Sequence, residues 1–360
     1  MKKIIVALYL MATIFLFTGC KEQDTTTIVE EPTPNQVEVT ATPTPAPTKY
    51  PDLTISDYFP FLSNTDFYFV GEGNEYASYH MYYDYINEST GRAQLRINNG
   101  GSETVQVLEI KDGKLSIINT QEETYYRDNL LDKTNTDFTE TVLLMEPLIA
   151  GTSWTLPDGR KSSITGIDVS ITTPYGEFAA LEVTTENEAG TTKEYYAKDF
   201  GLVYKVIDIG DTHITSALSE RTTDTPFMQK VQIYQWNFDE DMKSNEVEFE
   251  LYTNDITRVK FEEFLKLGSD DSQGLISTNT SINSMYLGSD NIAYIDFSRK
   301  LVEEMNAGSG FEMQILQCIT NTIGNYYGVN DVYLTLDGET YESGHIAMSK
   351  GETFKVYVPE

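Results

Sequence analysis

From Tyr50 to about Arg221 the chain is a succession of short runs rich in Tyr, Val and Ile, each closed by a turn signal, and this pattern constrains the fold most. The runs are Phe67 to Val70, Ser78 to Tyr85, Ala93 to Ile97, Thr104 to Ile110 and Lys114 to Ile118. Between them stand Gly71-Glu72-Gly73-Asn74, Asn98-Asn99-Gly100-Gly101 and Lys111-Asp112-Gly113. Ser162 to Ile171, Gly176 to Thr185, Thr191 to Ala197 and Leu202 to Ile207 continue the habit, joined by Pro174-Tyr175-Gly176 and Glu188-Ala189-Gly190. β-Branched and aromatic residues suit a pleated, half-buried surface, and Gly, Asn and Asp at this spacing read as hairpins. A long Tyr-rich meander closes into a barrel or bends into a curved sheet with one wet face. Trp154 and the tyrosines could line a ligand groove, but aromatics at period two are expected in the sheet core.

The pattern changes at Arg221 to Pro226. Beyond it Val231 to Trp236 and Val247 to Thr253 alternate as strands, and Val259 to Leu267 reads as a short helix. Met285 to Leu287 and Ile292 to Phe297 read as a hairpin about Gly288 to Asn291. The clearest helix runs from about Ser309 to Tyr327, with Phe311, Ile315, Leu316, Ile319, Ile323 and Tyr326 on one stripe. Ser309 is expected as its N-cap, with Glu312 completing a capping box, and Gly328 as its stop. Val332 to Leu336, an Asp337-Gly338 turn and Thr353 to Val358 follow.

At the other end, Lys2 and Lys3 precede an apolar run from Ile4 to Phe17 and then Thr18-Gly19, the anatomy of a secretory signal. The run is shorter than the roughly 20 residues a spanning helix needs. Lys21 to Lys49 is Thr- and Pro-rich, cannot bury enough surface to offset ordering, and favours an extended spacer of up to roughly 90 Å. The formal charge is −31, and −33 without Lys2 and Lys3, which argues against nucleic acid as a partner. No calcium-loop pattern occurs, and Asp239, Glu240, Asp241, Asp270 and Asp271 read as solvated loops. With two cysteines, Cys20 and Cys318, no disulfide framework or thiolate metal site is expected, and Cys318 reads as buried and inert.

The three histidines, His80, His213 and His345, lie in no H-E-x-x-H pattern, and neither a G-x-S-x-G elbow nor a P-loop is present. Among 56 acids, paired carboxylates for glycan hydrolysis carry no signal. No catalytic residue, cofactor or metal is therefore assigned, and the chain is not read as an enzyme. Asp296 is expected to face out or cap a neighbour, and His345 to serve a turn.

Three resemblances add to this. Cys20 directly after Thr18-Gly19 resembles the bacterial lipobox, with Phe17 where Leu is usual and Leu16 one residue early. The resemblance implies a diacylglyceryl thioether at Cys20 (with palmitate-type acylation), and two chains suffice for stable anchoring. Gly151-Thr152-Ser153-Trp154, Thr173 to Phe178 and Tyr195 to Val203 resemble a β-rich module of bacterial lipoproteins that has no agreed chemistry. Ala293 to Ser298, Gly308 to Glu312, Asn321-Thr322, Gly328 to Val332, Asp337-Gly338 and Gly344-His345 resemble the GerM domain of sporulation and spore-germination proteins. That resemblance implies a small, non-catalytic α+β unit of the cell envelope.

The expected organisation is a lipoprotein signal peptide (1–19), a lipidated Cys20 with its linker (20–50), an antiparallel β-rich domain formed as a curved sheet or open barrel (51–221), and an α+β GerM-like domain (228–360). The function expected is lipid-anchored binding or scaffolding on the outer face of the bacterial cell membrane, at the membrane–wall interface, in a setting of sporulation or germination. Peptidoglycan or envelope proteins are the expected partners besides the membrane. An enzyme or accessory factor acting on cell-wall glycan and a carrier of an apolar ligand inside the β module are the alternatives.

Overall fold

The computed structural model describes residues 53–133, 138–236, 242–267 and 274–357. Cys20, the signal segment, the linker, the acidic cluster Asp239 to Asp241 and the pair Asp270 and Asp271 lie outside the described residues.

A short helix α1 (Ile55–Tyr58) precedes twelve strands: β1 (Thr65–Glu72), β2 (Tyr79–Asn87), β3 (Arg92–Asn98), β4 (Glu103–Lys111), β5 (Lys114–Gln121), β6 (Thr141–Met145), β7 (Ser153–Thr155), β8 (Lys161–Thr172), β9 (Glu177–Asn187), β10 (Gly190–Ala197), β11 (Gly201–Ile209) and β12 (Thr212–Thr223). Every strand pairs antiparallel with its chain neighbours except at two places. β1 pairs with β12, from Thr65↔Thr223 to Glu72↔Thr215, and β6 and β7 are the two ends of the sheet. The sheet thus curls into a nearly closed up-and-down barrel whose seam lies between β6 and β7. The Trp154 indole N–H donates across this seam to the Val142 carbonyl at 3.0 Å. Trp154 is accordingly a core residue that also ties the seam.

The interior follows the alternation of the strands. Phe67, Phe69, Leu95, Leu108, Leu115, Leu181 and Val203 point inward and are buried. α1 seals one end: Ile55 N–H donates to Glu146, and its Asp57 carbonyl accepts from the Asp199 N–H in the β10–β11 turn. Phe59 sits beneath, against Tyr196 and close to Gly201, whose φ of +86° disfavours any side chain there.

The C-terminal region has two smaller sheets. β13 (Phe227–Gln235) and β14 (Lys243–Leu251) form a hairpin. After α2 (Thr257–Lys266), β15 (Ile282–Leu287) and β16 (Ala293–Phe297) form the expected hairpin, and α3 (Lys300–Met305) and α4 (Ser309–Tyr327) cross over to β17 (Asp331–Leu336), parallel to β16. β18 (Glu339–Thr340) and β19 (Phe354–Lys355) both pair with β17. One core runs through it all, with Phe249, Phe261, Leu316, Ile319 and Val332 fully buried. Cys318 lies in it, and burial pushes its thiol up to about 12.

The capping box expected at α4 is not formed. Gly308 is the N-cap, and no side chain caps the helix. The Glu312 carboxylate is drawn instead into the core by the Tyr341 hydroxyl, 2.7 Å away. The helix ends as expected on Gly328, at φ 66° and ψ 34°. α1, β6, β12, α3 and β18 have no counterpart among the expected elements, and β7 has one only in the Gly151–Trp154 motif; all but β12 are short, and β12 is largely Thr, Ser and charged residues.

Candidate functional site

Four parts of the described structure gather polar or ionisable groups, and their geometry separates structural work from binding capacity.

A dry ionic knot lies between the outer wall of β2–β4 and the C-terminal region. Asp84, fully buried on β2, accepts from Arg96 Nη2 at 2.9 Å, Arg127 Nε at 3.3 Å and Gln94 Nε2 at 3.1 Å. Arg96 also donates to Glu103 at 2.6 Å and to the carbonyls of Thr124 and Tyr126, both at 2.8 Å. Burial works against the Arg96 charge, but Asp84 and Glu103 more than offset it, so its pKa is raised. Arg127 comes from the segment after β5 and reaches into the C-terminal region. It donates to the Tyr252 carbonyl (3.0 Å), the Asp255 carbonyl and Thr257 Oγ1 (3.3 Å), and its guanidinium lies 4.3 Å from the Tyr85 ring centre. Tyr326 and Tyr327 close the knot from α4. The Tyr326 hydroxyl accepts from the Arg127 N–H at 2.8 Å, and the Tyr327 hydroxyl donates to Asp128 at 2.9 Å. A buried charge persists only when paired and hydrogen-bonded, and each charge here is. Sequence reasoning missed Asp84, Arg96 and Arg127. The available signal was weak: for Asp84 and Arg96, charged residues within strands otherwise rich in apolar and aromatic residues, and for Arg127, in the segment after β5, none.

Two of the GerM-like motifs, Gly308 to Glu312 and Gly344-His345, meet beside the loop between α3 and α4. Gly308, Glu312, Ser343, Gly344 and His345 line a pocket of about 510 Å³ on one side of the Met305–Gly308 segment. Trp236, Leu275, Met305, Phe311 and Ile315 line a groove of about 530 Å³ on the other. Glu312 is held by Tyr341, whose hydroxyl burial and the Glu312 bond push up. His345 is exposed in the expected turn, where the Ser343 hydroxyl oxygen accepts from its N–H at 3.0 Å. Asp296 does cap a neighbour: it accepts from Thr335 Oγ1 at 2.6 Å and from the Gly338 N–H at 2.8 Å, holding the Asp337-Gly338 turn. Both turn residues have positive φ, 50° and 81°, as such a turn requires.

A third cleft, about 560 Å³, lies on the barrel's outer wall where the chain passes to β13. It is lined by Asp66, Tyr68, His80, Asn98, Phe227 and Met228. His80 stacks on Tyr68 at 4.6 Å and its Nδ1 lies 3.0 Å from Asp66. His213 pairs with Asp208 at the β11–β12 turn, so the three histidines sit apart, on β2, on β12 and in the turn after β18. Among the described residues no group of three or more His, Cys, Asp or Glu is placed to hold a metal ion. The fourth part is the lumen of the barrel, where Glu194 and Lys205 face each other at 2.9 Å. Among the described residues no helix is long and apolar enough to cross a membrane.

Residues 232–342 match the Germane family model, described as sporulation and spore germination. No curated protein matches the chain. Among solved structures, the first GerMN domain of the sporulation protein GerM from Bacillus subtilis is 18% identical with a TM-score of 0.28, covering 33% of this chain and 93% of that one. A protein described as a lipoprotein from Clostridium perfringens is 16% identical with a TM-score of 0.24, over 36% of this chain and 88% of that one. Another so described, from Parabacteroides distasonis, is 16% identical with a TM-score of 0.28, over 46% of this chain and 98% of that one. Residues 232–342, the bulk of the mixed βα region that follows the barrel, thus form a GerM-like domain.

Proposed function

We propose that this protein is a lipid-anchored extracytoplasmic binding or scaffolding protein at the membrane–wall interface, acting in sporulation or germination. Cys20 carries the anchor in this reading, and the Thr- and Pro-rich stretch after it serves as a stalk. The observation that carries the proposal is the Asp84–Arg96–Arg127 knot. It locks the GerM-like domain to the barrel wall, so the two present one fixed platform instead of two tethered modules. A fixed platform suits recognition of a fixed partner, because little ordering entropy is lost on docking. The outer-wall cleft lies on this platform, with an aromatic face at Tyr68 and His80 beside Asp66 and Asn98, groups suited to a sugar ring and its hydroxyls.

The test is sedimentation of the purified chain with insoluble peptidoglycan. The expected result is retention without released sugar, lost in Tyr68→Ala/His80→Ala. Released muropeptides would replace scaffolding with glycan cleavage, and a chain that stays in the supernatant would rule out the wall as partner. Cys20→Ala should move the protein to the medium or leave it unprocessed, and unchanged lipid labelling in that variant would refute acylation at this residue.

A further inference from the structure

The barrel is not filled to its axis. Twelve strands enclose more space than eight, whose interior side chains just fill. Large side chains and the α1 plug take up part of the excess, and a cavity of about 400 Å³ remains between the Phe59 floor and a rim at Asn74 and Tyr76. This is within the range of small-molecule sites. Its wall is mainly apolar, with Met81, Leu95, Leu108 and Leu143 on one side and Ile207 and Ile214 on the other.

Into this wall project Glu194 and Lys205, joined at 2.9 Å, with the Tyr196 hydroxyl donating to Glu194 at 3.0 Å. Their side chains keep 18% and 33% of their surface, although both strands are interior to the sheet, because that surface faces the cavity. Placing an ion pair in an apolar lumen costs desolvation that a methylene there would avoid. The pair has no net charge but offers an ammonium donor and a carboxylate acceptor. A net-charged head group would bring an uncompensated charge into the lumen, whereas an uncharged head bearing hydroxyls matches both partners.

We propose that the barrel lumen binds one single-chain, uncharged amphiphile of the monoacylglycerol class, its hydroxylated head at Glu194 and Lys205 and its tail along Leu95, Leu108 and Leu143. This site is independent of the scaffolding reading and of the outer-wall cleft. The experiment uses the full chain carrying Cys20→Ala, so that no detergent competes. Calorimetric titration compares 1-monodecanoylglycerol, methyl decanoate and decanoate. The expected result is one saturable site for the monoacylglycerol, with methyl decanoate and decanoate each at least tenfold weaker. In Glu194→Gln/Lys205→Met, checked for an unchanged barrel by far-ultraviolet dichroism, the preference over methyl decanoate should vanish. No saturable binding, tighter binding of decanoate, or a preference that survives the double variant would overturn the proposal. Should that variant not fold, a diazirine-tagged monoacylglycerol on the otherwise native chain decides: labelling must fall on β3, β4 and β6 residues lining the lumen, and labelling confined to the outer wall refutes it.

Discussion

The knot outside the barrel and the ion pair inside it are the same chemistry in two surroundings. At the knot, Asp84, Arg96 and Arg127 are at most 1% exposed, and their donors and acceptors meet carboxylates, carbonyls or hydroxyls. In the lumen, Glu194 and Lys205 lie deep inside the sheet yet keep surface against open space. Saturated charge in a dry interface works as a fastener, because removing any member strands the others. Charge that keeps surface against a cavity keeps capacity for something that is not part of the chain. The difference between fastener and site is therefore legible from whether a paired charge keeps surface against open space.

The comparison breaks most visibly at Asp84. Asp84→Ala leaves Arg96 and Arg127 without their shared carboxylate in a dry interface and should cost about 3–5 kcal/mol. Denaturant unfolding should then separate into two transitions, one for the barrel and one for the GerM-like domain. A single transition with an unchanged midpoint would show that the knot does not fasten them. Next in size is Tyr341→Phe, which removes the donor to the buried Glu312 and should cost about 1–3 kcal/mol. If the knot couples the regions, this substitution in the GerM-like domain also lowers the midpoint read from the barrel's β-sheet dichroism; a shift confined to the GerM-like domain would contradict the coupling.

The smallest expected effect is the pH dependence of the lumen pair. Burial pushes Glu194 up, but the charge of Lys205 and the hydrogen bonds that the Glu194 carboxylate accepts from Lys205 and Tyr196 outweigh this and hold its pKa below the ordinary 4.5. Its contribution to stability is therefore present above pH 4.5 and lost as pH falls through the lowered value. Glu194 raises Lys205 above the ordinary 10.5 against the opposing effect of burial, so the Lys205 contribution is present below pH 10.5 and lost as pH rises through the raised value. Glu194→Gln/Lys205→Met should flatten both flanks of the stability–pH curve and leave the plateau between them level. Flanks as steep as in the native chain would show that the pair carries none of this dependence.

Much of the architecture could be read from local pattern. Period-two runs with Gly, Asn and Asp turns marked nine of the twelve barrel strands, because a hairpin needs its pleat and its turn at adjacent positions. The stripe from Phe311 to Tyr326 and the Gly328 stop marked α4 for the same reason. Glu312 shows where such reading ends. Its spacing from Ser309 fits a capping box, but Tyr341, distant in sequence, offers a buried hydroxyl and takes the carboxylate.

The sequence by itself determined the strand-rich character of the first region, the βα alternation and GerM-like motifs of the second, and the inert burial of Cys318, since each rests on contacts between near neighbours or on composition. Only the tertiary structure decided that the meander closes through β1 and β12, that Arg127 bridges barrel and GerM-like domain, and that Glu194 and Lys205 meet over an unfilled lumen. These depend on pairings far apart along the chain and on the curvature of the sheet, and neither leaves a periodic trace in the order of the residues.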